Sequence, residues 1–402
     1  PHPPPPQTPT PLPTRPPAHH PPRQETPQRL GPRTEKHAQP PAAPDTHIIG
    51  NARCAVGLAG GRDLRIGDLD PGAPELRPDS RYNLDNAFLT ENYSTSTDVF
   101  VTMVETLPQA CGDYQTIAAI NRFQAAMLNT PGVQSVVSLV NVAKRVTMAM
   151  NEGNPKWHTV SRNRYVLNNS LQHVPSSLIN TDCSMVPVLI FLNDHKADTL
   201  RAVTDDVEAF AAEYNTEEIR FVLAAGNSGI ESATNVVVSK AQYQMLALVY
   251  GVVAFLVFLT FRSWRAVICI IVPLALTSVL AQALMASLGI GVKVATLPVI
   301  ALGVGIGVDY GIYIYSKMDT YLKRGLAVYE AYGKTLQTTG MAVGFTGITL
   351  AIGVGTWIFS PIKFQADMGL MLTFMFLWNM LGALTLLPAL AHYLVRPARV
   401  PA

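Results

Sequence analysis

The sequence predicts a membrane α-helical bundle of about five transmembrane helices joined to an α/β domain, and three observations carry that reading. The mean hydropathy is +0.20 and only 14% of the 402 residues are charged, which is too apolar for an ordinary soluble chain. Five runs of 18 or more mainly apolar residues follow residue 243, each long enough to cross a hydrocarbon layer of about 30 Å. Before them, strand and helix periodicities alternate. The net charge of +2 and the scattering of Lys and Arg away from aromatic residues argue against nucleic acid as a partner. No Cys/His spacing suggests a metal site and no constellation of acids and bases suggests an enzyme, so no cofactor is expected.

Residues 1–45 hold 17 of the 31 prolines and almost no aliphatic side chains, so they predict a disordered or polyproline-like leader. The histidines His2, His19, His20, His37 and His47 are irregularly spaced, and no specific metal site is expected of them. The chain starts at Pro1 with no signal-peptide pattern and reads as a fragment of a gene product.

Residues 46–243 predict the α/β domain. Strands are expected over 98–106, 133–140, 185–194 and 219–226, and amphipathic helices over 114–128 and 197–215. Two successive strand-helix-strand units suggest two ferredoxin-like subdomains of the split βαβ type. Asp205, Asp206 and Glu208 fit a solvated helix face. Of Cys54, Cys111, Cys183 and Cys269, the last falls in an apolar helix as a small hydrophobe. Cys111 and Cys183 lie in the α/β domain, and the residues leave open whether they form a disulfide or two free thiols.

The spans are expected at 244–261, 266–288, 296–315, 338–358 and 368–395, with a tail at 396–402. Eight basic residues (Arg262, Arg265, Lys317, Lys323, Arg324, Lys334, Arg396 and Arg399) fall on one side, against Lys293 and Lys363 on the other. The positive-inside rule puts the eight in the cytoplasm and makes the α/β domain extracytoplasmic. Nothing before residue 48 would thread that domain across a membrane, so a preceding helix is expected to be missing. Residues 316–336 mix Lys and Arg with Tyr, Leu and Val and predict a helix in the cytoplasmic interface.

One acidic residue, Asp309, sits inside the third span. A carboxylate near the middle of a membrane helix costs about 2.5–3.5 kcal/mol on insertion scales, and such residues mark ion or proton pathways. Gly303, Gly307 and Gly311 recur every fourth residue and clear one face for close helix approach, and Gly305 is expected to serve helix packing with them. Asp309 is therefore expected to face protein at that glycine face, where an unpaired charge needs polar partners.

Longer motifs resemble a known family. The stretches ALGVGIGVDYGIYIYSKM, TLAIGVGTWIFSPIKFQADMGLMLTFMFLWNMLGALTLLPALA and TFRSWRAVICIIVPL together resemble the carboxyl-terminal half of a resistance-nodulation-division (RND) superfamily exporter of the MMPL branch. IGDLDPGAPELRPDSRYN and LVNVAKRVTMAMNEGNPKW are similar to that family's porter domain. The resemblance implies a proton-motive-force-driven exporter of hydrophobic, amphipathic or lipid-like substrates in a bacterial inner membrane, with the ferredoxin-like porter domain in the periplasm. Gly305 with Asp309 matches the GxxxD pattern of the family's proton-relay helix, and the pair Asp309–Tyr310 matches the MMPL branch. In that scheme Asp309 carries the proton and Tyr310 hydrogen-bonds across the relay. The partners implied are the missing amino-terminal half, the membrane and the substrate, with a homo-oligomer as a further expectation. The fragment alone is expected to be inactive. A competing class is a non-transporting sterol-sensing-like membrane sensor or lipid-binding module, which has no need of a titratable residue at Asp309.

Overall fold

The computed structural model describes residues 65–395, so the Pro-rich leader, Cys54, Arg396 and Arg399 lie outside the described residues. Four strands, β1 (Val99–Thr106), β2 (Val133–Val137), β3 (Met185–Leu192) and β4 (Ile219–Ala225), form one sheet in the order β2-β3-β1-β4. Every neighbouring pair is antiparallel. The two strand-helix-strand units thus share a single sheet and do not form two subdomains. The reason is that β1 pairs with β3 along one edge and with β4 along the other.

Val186, Val188, Ile190 and Leu192 alternate along β3 and are buried on one face of the pleat. They meet Ile117, Ile120, Phe123 and Met127 from helix α2 (Tyr114–Met127; α1 is Arg81–Asn92) in one core. Leu200, Val203, Val207 and Phe210 join them from α5 (Ala197–Tyr214), beyond α3 (Leu139–Ala149) and α4 (Arg164–Leu171). Fully burying each such side chain contributes about 1.5–3 kcal/mol before chain entropy is counted. Phe123, Phe210 and Phe221 close on one another with ring centroids 4.9–5.1 Å apart. Pro187 is tolerated inside β3 because β2 ends opposite Leu189, leaving no ladder bond for the missing N–H. A disulfide joins Cys111, in the turn before α2, to Cys183, just before β3.

The sheet runs directly into the membrane bundle. At Gly226 the chain turns from β4 into α6 (Gly226–Phe261) with φ of +79°, and a Cβ there would strike the carbonyl oxygen of Val99. This helix has 36 residues, so it starts well before the expected span. Its first turns bury Ser228, Gly229 and Ser232, and Ser232 Oγ lies 2.8 Å from Thr204 Oγ1 on α5. Its apolar half from residue 244 onward is the membrane-length part.

After α7 (Trp264–Leu288) and α8 (Leu297–Lys323), the expected interfacial helix is interrupted: α8 continues to Lys323, and Gly325 at φ of +84° turns the chain into the short α9 (Val328–Thr335). Helices α10 (Met341–Gly355), α11 (Lys363–Leu381) and α12 (Leu387–Leu394) complete the bundle. Five helical stretches, at Gly226–Phe261, Trp264–Leu288, Leu297–Lys323, Val328–Phe359 and Lys363–Leu394, are long and apolar enough to cross a membrane.

An extended segment before α1 ties the sheet domain to two loops at one end of the bundle. Ile66 pairs in parallel with Val292, between α7 and α8, through Gly67 N–H to Val292 O (2.8 Å) and Val292 N–H to Arg65 O (2.9 Å). Leu76 pairs with Ile362, between α10 and α11, and Arg77 donates to the carbonyls of Ser360 and Ile358. Lys293 pairs with Asp68 at 2.5 Å, and Lys363 pairs with Asp70. The two lysines that run against the basic bias of the loops are therefore each neutralised by a carboxylate of this strap.

Candidate functional site

Helix α8 lies at the middle of the bundle because one of its faces is nearly bare. A Cβ at Gly303 would strike Met375 of α11, and one at Gly307 would strike Asn379 of α11 and Leu274 of α7. At Gly311 it would come within 3.0 Å of Ile270. These glycines therefore pack against helices of this same chain. Gly305 does not: nothing lies within 4 Å of a Cβ built there.

Asp309 departs from the expectation that it shares the glycine face. It is exposed on this chain, in one stripe with Leu302, Gly305, Tyr313 and Ser316. The cause is helical geometry, since residues two apart are separated by about 200° around the axis at 3.6 residues per turn. Asp309 is two residues from both Gly307 and Gly311, so it points away from their face. Among the described residues it makes no hydrogen bond or ion pair.

Tyr310 turns the other way. It is 2% exposed, packs in the core formed by α7, α8 and the last helices, and its hydroxyl has no hydrogen-bond partner among the described residues. The Asp-Tyr pair is thus split, with the acid on the open face and the phenol inside.

Asn379 was not singled out from the sequence, although an amide inside LTFMFLWNMLGAL carries the same signal as Asp309. It is 3% exposed and donates from Nδ2 to the Gly303 carbonyl at 2.8 Å, while its Oδ1 is unpaired. Two buried oxygens without partners, Tyr310 Oη and Asn379 Oδ1, therefore sit inside the bundle. Each costs about 1–3 kcal/mol relative to a bonded group. Groups left so in a native fold mark places where water, an ion or another conformation completes them.

A second polar cluster lies where the strap, the sheet and α6 meet. His195, 5% exposed, holds Asp98 through Nδ1 at 3.0 Å, and Asp68 and Glu231 stand beside it. Burial opposes the charge on this imidazole, but the hydrogen bond and charge of Asp98, with Glu231 and Asp68, outweigh it and lift its pKa to about 9. Among the described residues no other His, Cys, Asp and Glu side chains gather in this way. These residues are far apart in sequence, and no local motif could have joined them.

Fold and site define a polytopic membrane protein with a small antiparallel sheet domain at one end of its bundle. Residues 82–401 match the MMPL family, and the chain belongs to it. It is 24% identical over 283 residues to a membrane protein of Methanocaldococcus jannaschii, covering 69% of this chain and 71% of that protein. It is 29% identical over 124 residues to the sulfolipid-1 exporter MmpL8 of Mycobacterium tuberculosis, covering 30% of this chain and 11% of the exporter. A transport protein MmpL8 of Mycobacterium bovis is 28% identical over 134 residues, which are 32% of this chain and 12% of that protein. The chain therefore spans only about a tenth of these mycobacterial relatives in its matches.

Proposed function

We propose that the chain is the carboxyl-terminal part of a proton-motive-force-driven exporter of lipid-like or hydrophobic molecules. In this reading the sheet domain is a ferredoxin-like porter domain in the periplasm, and the bundle lies in a bacterial inner membrane. Asp309 is the proton carrier. The observation that carries the reading is an unpaired carboxylate on the open face of an otherwise packed membrane helix. Such a group does not rest against lipid, so the stripe of Leu302, Gly305, Asp309 and Tyr313 is the seat of another helix. Gly305, with open space where a Cβ would stand, lets that helix approach closely.

Protonation then acts as a switch. A neutral Asp309 favours an apolar contact, and a charged one favours polar partners and water, so uptake and release of a proton shift which packing is preferred. Tyr310 is the adjacent polar group, and its hydroxyl, buried on the other side of α8 against α7 and the last helices, gains a partner when those helices repack in response. The strap transmits the change, because the segment from Arg65 to Arg77 is bonded both to α8's leading loop and to α11's. Support for the topology comes from the ion pairs of Lys293 and Lys363, which remove the two charges opposed to the basic bias. The names of the mycobacterial relatives support lipid-like cargo.

The test is efflux of a fluorescent lipid analogue from proteoliposomes holding the complete exporter under an imposed proton gradient. Asp309→Asn should assemble normally and transport at background. Undiminished efflux by that variant would remove Asp309 from the mechanism.

A further inference from the structure

We propose that Asp68, His195 and Glu231 form a site for a divalent transition-metal ion of the zinc class, clamping the sheet domain to the strap and to the first membrane helix. One ligand atom from each of the three lies within 4.8 Å of the others. Ligands at about 2.0–2.2 Å around a single zinc-class ion are separated by roughly 3.5 Å, so modest side-chain rotation closes the set. Three further observations point to a metal over a plain ion-pair network.

The imidazole is oriented as metal ligands are. Asp98 Oδ1 holds His195 Nδ1 at 3.0 Å, with the two side chains 8% and 6% exposed, which fixes the ring and leaves Nε2 for a ligand. A carboxylate behind the distal nitrogen is the usual outer support of a metal-bound histidine. Glu231 Oε1 is buried and makes no hydrogen bond among the described residues, although the same carboxyl group is in hydrogen-bond contact with Asp68. The donors are also of the right kind, since one imidazole and two carboxylates suit zinc, cobalt or manganese, whereas calcium and magnesium prefer all-oxygen sets.

Asp68, Asp98 and Glu231 gather three carboxyl groups here, and the His195 imidazole and the Lys293 ammonium are the basic groups that face them, Lys293 held on Oδ1 of Asp68. A carboxylate accepts at both oxygens, so that pair and a metal bond on the other oxygen are compatible. A cleft of about 450 Å³, lined by Asp68, Asp98, His195, Asn227, Glu231 and Thr234, gives an ion and its water ligands a way in. The three ligands come from the strap, the loop before α5 and the start of α6, so a bound ion joins three elements that are far apart in the sequence.

The experiment is titration of the chelator-washed, purified chain in nanodiscs with Zn²⁺ by calorimetry and with Co²⁺ by visible absorption. It is run in parallel on a chain whose His2, His19, His20, His37 and His47 are replaced by alanine, because that leader could bind metal by itself. The expected result is one ion per chain in both, with a Co²⁺ ligand-field band of four- or five-coordinate intensity. Glu231→Gln and His195→Asn should weaken binding at least 100-fold, and Asp98→Asn about 10–100-fold as an orienting residue. Asp205→Asn, on the exposed face of α5, should leave it unchanged. Glu231→Gln retains charge-neutral hydrogen bonding, and its unchanged melting temperature without metal separates loss of the site from loss of the fold. Binding absent from the leader-substituted chain, or indifferent to Glu231→Gln and His195→Asn, would overturn the proposal.

Discussion

Asp309 and its neighbours divide α8 into a packed face and an open one. The face of Gly303, Gly307 and Gly311 is filled by Met375, Asn379, Leu274 and Ile270, and that of Gly305 and Asp309 is open. The two glycine sets should therefore respond differently to substitution. Gly307→Leu forces α8 away from α7 and α11 and should destabilise the detergent-purified chain by at least about 2 kcal/mol, by the cost of overpacking a filled interface. Gly305→Leu should leave its melting temperature unchanged and yet abolish efflux by the assembled exporter. Equal melting losses for both would mean that the open face is packed after all. Tyr310→Phe removes a buried unpaired hydroxyl, so stability should hold or rise by up to about 1 kcal/mol while transport falls. Asp309 is legible in the sequence as an outlier of charge, but the spacing of the glycines by four does not give its direction, because a residue two positions from them lies about half a turn away.

At the scale of elements, the four strands and helices α2 and α5 of the sheet domain follow from local alternation, with bounds within a few residues of those expected. By contrast, α1, α3 and α4 carry too weak or too short a pattern, and the strand expected to run to residue 140 gives way at Leu139 to α3. The assembly of the strands into one sheet does not follow from local pattern either, because the partners of β1 lie about 80 and 120 residues along the chain and pairing of that kind leaves no local pattern. The strap was invisible for the same reason: Asp68, Asp70 and Arg77 look like ordinary loop charges until Lys293, Lys363 and Ser360 are brought to them. Arg77→Ala removes donors to two carbonyls of the α10–α11 loop. It should raise the rate of limited proteolysis before α1 several-fold without altering the helical circular dichroism, and an unchanged rate would show that the strap is not held by that residue. The Cys111–Cys183 bridge closes a loop of 72 residues. Replacing both cysteines with serine should cost about 2–4 kcal/mol of sheet-domain stability, read as a lower melting temperature under non-reducing conditions.

For the whole molecule, the orientation rests on charge. Lys293 and Lys363 are paired with Asp68 and Asp70, so the loops on the sheet-domain side carry no uncompensated lysine, and the remaining loop charge favours a cytoplasmic opposite end. A cysteine at Tyr165, which is 86% exposed, should react with a membrane-impermeant maleimide in intact cells, and reaction only after lysis would invert the topology. The expected five spans are matched by five helical stretches, legible because hydrophobic length is a sum over local residues. The open stripe on α8, with Asp309 at its centre, is where the proposed second helix and proton would act. The most direct measurement is proton movement itself, followed with a lumenal pH dye in proteoliposomes of the complete exporter as lipid substrate is added. Substrate-dependent proton flux in the wild type and its loss in Asp309→Asn, with equal protein inserted, is the predicted result. Equal flux in the two proteins would contradict the account.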